Sequence, residues 1–109
     1  MVVEDKLYIK AVESNDGVEL RKQAGRWLKS RRESLGISQR VLADRVDMEY
    51  YTFISQIEAG RGRVPAERFK HWAAALEVDP KVFATTLMKF YDPYTYEMIF
   101  GLSEIQNLD

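Results

Sequence analysis

The chain has 109 residues, of which 46% are hydrophobic and 30% charged, with no cysteine and a net charge of −1. This is enough for one folded domain with a modest core, and it excludes disulfides and thiolate metal sites. No apolar run approaches the roughly 20 residues that span a bilayer, and "MVVEDKLYIK" lacks the basic start and apolar core of a signal peptide, so no membrane partner is expected and a reducing cytoplasm is the simple reading.

The charge is unevenly spread. Residues 1–17 carry −2, residues 18–72 carry +5 and residues 73–109 carry −4. A basic middle between acidic ends gives the surface field a direction, which favours a polyanionic partner for the middle segment.

Residues 1–16 read as an extension. "KLYIKAV" alternates weakly, as a short strand would, and "SNDG" (14–17) is a turn signal. From Val18 the period becomes helical, with Leu20, Ala24, Trp27, Leu28, Arg31 and Leu35 on one stripe and Gly36 as the stop. Ser38 caps a second helix over 38–46, with Val41, Leu42 and Val46 as its apolar stripe. A third is expected over about 49–59, ended by Gly60; Tyr50, Phe53, Ile54 and Ile57 form its inward side, and Tyr51, Thr52, Ser55, Gln56 and Ala59 face out. A fourth starts near Pro65, with a stripe of Phe69, Trp72, Ala73 and Leu76. The pair Asp-Pro recurs at 79–80 and 92–93, each time as a cap followed by a first-turn proline. It opens a fifth helix to Tyr91 and a sixth from Pro93 to Phe100, stopped by Gly101.

Two short helices around a tight turn have the dimensions of a helix-turn-helix, in which the second helix enters the major groove. The outward face of 49–59 suits that role. An amide such as Gln56 can pair with an adenine edge, and Thr52 or Tyr51 can touch a thymine methyl. Gln39 and Arg40 open the preceding helix, where an amide and unpaired backbone N–H groups can meet one phosphate. Arg61 and Arg63 flank Gly62 in the following loop, where guanidinium groups neutralise phosphate.

At this point "LKSRRESLGISQRVLADRV" and "FISQIEAGRGRVP" resemble the Cro/lambda-repressor-like helix-turn-helix family, the XRE-type regulators. The match rests on Arg32, Leu35-Gly36-Ile37-Ser38-Gln39, Leu42-Ala43, Ile54-Ser55, Ile57-Glu58, Gly60 and Pro65, and spans about residues 20–87. The resemblance implies an all-α, compact five-helix lambda-repressor-like domain over 18–91, with a short N-terminal extension (1–17) and a C-terminal helical extension (92–109). It also implies a sequence-specific, double-stranded DNA-binding regulator, a repressor sooner than an activator, acting as a homodimer. On this match Gln39 is a phosphate- and base-proximal residue, and Tyr51, Thr52, Ser55 and Gln56 are the base-reading set. Arg61 and Arg63 form the phosphate loop, and Arg32–Glu58 is a buried ion pair.

Two departures stand out. Asp47 replaces the family's usual turn glycine, and one extra residue lies before Ile54. Asp47 is then expected to cap the third helix, with Glu49 as a dipole partner. Two acids near DNA also leave room for another function on the same fold, an antitoxin-like or regulator-binding protein module. An enzyme is not expected: His71 is the one histidine, no acid–base couple is specified, and no cofactor is implied. The segment after residue 91 is rich in tyrosine and aliphatic residues and is expected to form the dimer contact, with "KLYIKAV" adding a strand to the partner.

Overall fold

A computed structural model describes residues 2–101, with side chains described from residue 6 onward. Among the described residues there are seven α-helices, one short 3-10 turn and no strand. The helices are α1 (Val2–Glu13), α2 (Gly17–Ser34), α3 (Gln39–Arg45), α4 (Thr52–Glu58), α5 (Phe69–Ala75), α6 (Pro80–Tyr91) and α7 (Pro93–Phe100). The all-α expectation is met and the five-helix count is not.

The helix that was not expected is α1. The short alternation in "KLYIKAV" conceals a helical stripe in which Tyr8, Ala11 and Val12 fall at i, i+3 and i+4. Tyr8 and Ala11 are buried with Leu20 of α2 and pack on Phe90 of α6. The Tyr8 hydroxyl donates to the Lys89 carbonyl at 2.9 Å, and burial pushes its pKa well above the ordinary tyrosine value. The strand expected at 6–12, and its addition to a partner, are thus overturned. Asp16 then caps α2 by accepting from the Glu19 N–H at 3.0 Å.

Helix α2 is the spine, against which α1, α4 and α6 pack. Ala24 and Leu28 on its inner face join Leu42, Val46, Ile54, Trp72, Leu76, Phe83 and Leu87 in the main core. Val41, expected in that core, is exposed, and the inward stripe of α3 is Leu42, Ala43 and Val46. Pro65 opens the 3-10 turn Ala66–Arg68 before α5 begins. The two Asp-Pro pairs behave alike: Asp79 accepts from Lys81 and Val82 N–H groups, and Asp92 from Thr95 N–H.

The turn between α3 and α4 departs most from expectation. Asp47 does not cap α4. It lies at φ 57, just past the end of α3. The Met48 N–H bonds the Ala43 carbonyl at 2.9 Å and the Asp47 N–H bonds the Asp44 carbonyl at 3.3 Å, the paired bonds that close a helix on a left-handed residue. Asp47 thus adopts the conformation that favours glycine, which aspartate tolerates better than most residues. Met48 is drawn against the core, and the extra residue lengthens the turn. The helix starts at Thr52, three residues later than expected, with no side-chain cap. Tyr50 and Phe53 are therefore 56% and 51% exposed and are not core residues.

Candidate nucleic-acid interface

The position of α4 is set by one carboxylate. Glu58 accepts from Arg32 Nε at 2.6 Å, from Arg32 Nη2 at 3.1 Å and from Gln39 Nε2 at 3.0 Å. Arg32 also donates from Nη1 to the Ile37 carbonyl at 2.8 Å. The ion-paired residues are only 7% and 6% exposed, so α2, the start of α3 and the end of α4 are joined at one buried, fully hydrogen-bonded point. The hydrogen bond to Glu58 raises the Arg32 pKa further, against the opposing effect of burial, and keeps the guanidinium charged.

Held this way, α4 buries Ile54, Ile57 and Glu58 and leaves Thr52, Phe53 and Gln56 exposed and Ser55 half-buried. Gly60, at φ 83, ends the helix against α2. A Cβ there would lie 2.8 Å from the Lys22 backbone nitrogen, so the close approach and the left-handed turn both require glycine.

The expected site residues lie on and around α4 with altered partners. Gln39 turns inward to Glu58. Arg40 lies over the Tyr51 ring with Cζ 4.6 Å from its centroid, which fixes a cation and an aromatic ring together beside the start of α4. Arg61 Nε donates to Gln56 Oε1 at 2.8 Å, leaving the Gln56 amide nitrogen as its outward donor. Arg63 stacks on Tyr91 of α6 at 4.5 Å, and that hydroxyl accepts the Val64 N–H at 3.2 Å. The 61–63 loop is thus anchored at both ends while both arginines remain exposed.

The basic middle segment offers less free charge than its count implies. Arg31 donates to the Leu76 and Glu77 carbonyls, Arg45 to the Ala75 carbonyl and Arg68 to the Val46 carbonyl. These guanidinium groups satisfy helix C-termini. Sequence reading also missed His71, whose Nε2 is 3.1 Å from Asp47 Oδ2 and ties α5 to the turn. No signal short of the fold would have paired them. Among the described residues no group of three or more His, Asp or Glu side chains could hold a metal ion, and no helix is long and apolar enough to cross a membrane.

A family model described as helix-turn-helix matches residues 28–83, just over half of the chain. The match contains α3, the turn, α4 and the 61–63 loop, and leaves out α1 and α7. No curated protein and no solved structure matches the chain. With the family pattern on α3 and α4 and the match covering half the chain, this protein belongs to the helix-turn-helix family of XRE-type DNA-binding regulators.

Proposed function

We propose that this protein is a sequence-specific duplex-DNA-binding repressor that acts as a homodimer and presents α4 to the major groove. The observation that carries the reading is the Glu58 clamp: it holds α4 so that Thr52 and Gln56 face out, with Arg61 and Arg63 at the helix end. In this reading Arg40, Arg61 and Arg63 bind phosphate, while Tyr51, Thr52, Ser55 and Gln56 approach base edges. Gln39 acts by orienting Glu58 and the start of α3. Repression needs only occupancy of the site.

Substitutions separate the roles. Arg61→Ala or Arg63→Ala is expected to weaken binding to every duplex and to reduce the salt slope by about one unit for each phosphate no longer neutralised. Gln56→Ala is expected to cost about 1 kcal/mol on the preferred site, the low end for a base contact because its oxygen is already engaged, and almost nothing on random DNA. Equal losses on specific and random DNA would contradict base reading by Gln56. Duplex binding that is absent at low salt would favour the protein-interaction reading instead.

The dimer reading is supported by the outer face of α7. Met98 is 79% and Ile99 60% exposed, and Tyr94 and Leu7 are also exposed on α7 and α1. Soluble monomers rarely leave such a surface uncovered. Tyr94 donates to Asn15 Oδ1 at 2.9 Å, which ties α7 to the end of α1 rather than to the DNA-facing helices. Reading two half-sites requires a two-fold contact that presents two copies of α4 one DNA turn, about 34 Å, apart. Ile99→Glu, an exposed substitution in the full chain, is expected to convert the dimer to a folded monomer by light scattering. Operator affinity should fall by more than about tenfold, since each half-site then binds alone. An unchanged mass, or a wild-type chain that is monomeric at tens of micromolar, would overturn the interface.

A further inference from the structure

Both glutamines at the interface have hydrogen-bonding capacity committed inside the protein. Gln39 gives one N–H to Glu58, and Gln56 Oε1 accepts from Arg61. An amide recognises adenine by offering donor and acceptor together, so each side chain as placed has less capacity free for that bidentate contact than an unengaged amide would have. The leading edge of α4 is instead apolar. The Tyr50 and Phe53 rings lie 6.1 Å apart at 55° to each other, and both residues are exposed. Phe53 adjoins Thr52 and is one helical turn from Gln56, so the ring pair is continuous with the outward face of the helix.

Charge narrows what this patch can meet. Asp47 and Glu49 flank it and are exposed, so they oppose placement of the rings against phosphate. The major groove displays one apolar group, the C5 methyl of thymine. We infer that Tyr50 and Phe53 are specificity-determining residues that read thymine by apolar contact with its C5 methyl, so that sequence preference rests on thymine positions more than on amide–adenine pairs. This inference rests on the DNA-binding reading of α4.

Replacing thymine by deoxyuridine removes only the methyl group and leaves base pairing intact, which makes the test chemical. A site is first selected from random duplexes with the full-length protein, and each thymine in it is then replaced singly by deoxyuridine. The wild-type protein is expected to lose about fourfold in affinity at the thymines read by the pair, which is about 0.8 kcal/mol, the worth of one buried carbon. Phe53→Ala, an exposed substitution that should leave the melting temperature unchanged, is expected to lose affinity for the selected site. It should also become indifferent to deoxyuridine at one of those positions, and Tyr50→Ala is read in the same way. Selective binding that ignores deoxyuridine everywhere would overturn the inference while leaving DNA reading by α4 intact. So would a Phe53→Ala protein as sensitive as wild type. A change of mass in light scattering on Phe53→Ala, without deoxyuridine sensitivity, would make the rings a protein contact and overturn it as well. Failure to select any duplex would remove the DNA reading itself, and the inference with it.

Discussion

Glu58→Ala is expected to lower the stability of the fold by about 3–5 kcal/mol, because it strands the Arg32 guanidinium where almost no water reaches it. Three hydrogen bonds end on that carboxylate, from two nitrogens of Arg32 and one of Gln39, and all three donors lose their partner together. For a domain of this size the melting temperature should fall by more than about 12 °C. Converting both partners to apolar residues of similar volume, Arg32→Met with Glu58→Leu, should be much milder, since no unpaired charge is then buried. The contrast separates the cost of a stranded charge from the net worth of the pair. A Glu58→Ala protein that melts with the wild type would remove the clamp from this account. So would a double variant no better than the single one.

Gly25→Ala should also be strongly destabilising, against the helix-forming tendency of alanine. In mid-helix that tendency alone would stabilise by about 0.5–1 kcal/mol. A Cβ at Gly25, however, would lie 2.2 Å from the Glu58 carbonyl oxygen and 2.6 Å from its carbon. The obstacle is backbone, so no side chain can swing aside, and α2 and α4 must move apart. Overpacking of this kind costs about 1–3 kcal/mol and occasionally more, and the rigid contact places it at the upper end. The displacement falls on the end of α4, the helix proposed to face DNA, so operator affinity should drop even at temperatures where the variant is folded. Thermal melts and binding at low temperature check both parts. A raised melting temperature would show that the two helices are not in close contact.

These two sites mark how far the sequence could be read. The residues around the turn were legible because each answers a local demand: Gly36 and Gly60 end helices at positive φ, and Ser38 accepts from the Val41 N–H. Arg32 and Glu58 are 26 residues apart, and only the family pattern put them together. Gly25 carried no signal at all, since the need for a missing side chain arises from the crossing of two helices. The aromatic stretch misled for a definable reason. Over a seven-residue helix, the inward face depends on where the helix begins, and the start was placed three residues early, with Asp47 read as its cap. Aspartate suits a helix start and also tolerates a left-handed helix end, and residue type alone does not separate the two. The charge balance pointed to a polyanionic partner but not to which arginines are available to it: guanidinium groups that cap carbonyls look, in a sequence, the same as those left exposed. At the N-terminus, the seven residues of "KLYIKAV" were too few to tell alternation from a helical stripe that needs Tyr8, Ala11 and Val12 together.

The central claim is that α4 presents a base-reading face to duplex DNA. It is tested most directly by selecting sites from random duplexes with the full-length protein and titrating the enriched site and a scrambled one over a range of salt. The account predicts one enriched, two-fold symmetric site bound at least about a thousandfold more tightly than the scrambled duplex, with log affinity falling linearly with log salt for both. Equal affinity for the two duplexes, or no enrichment over successive rounds, would contradict it.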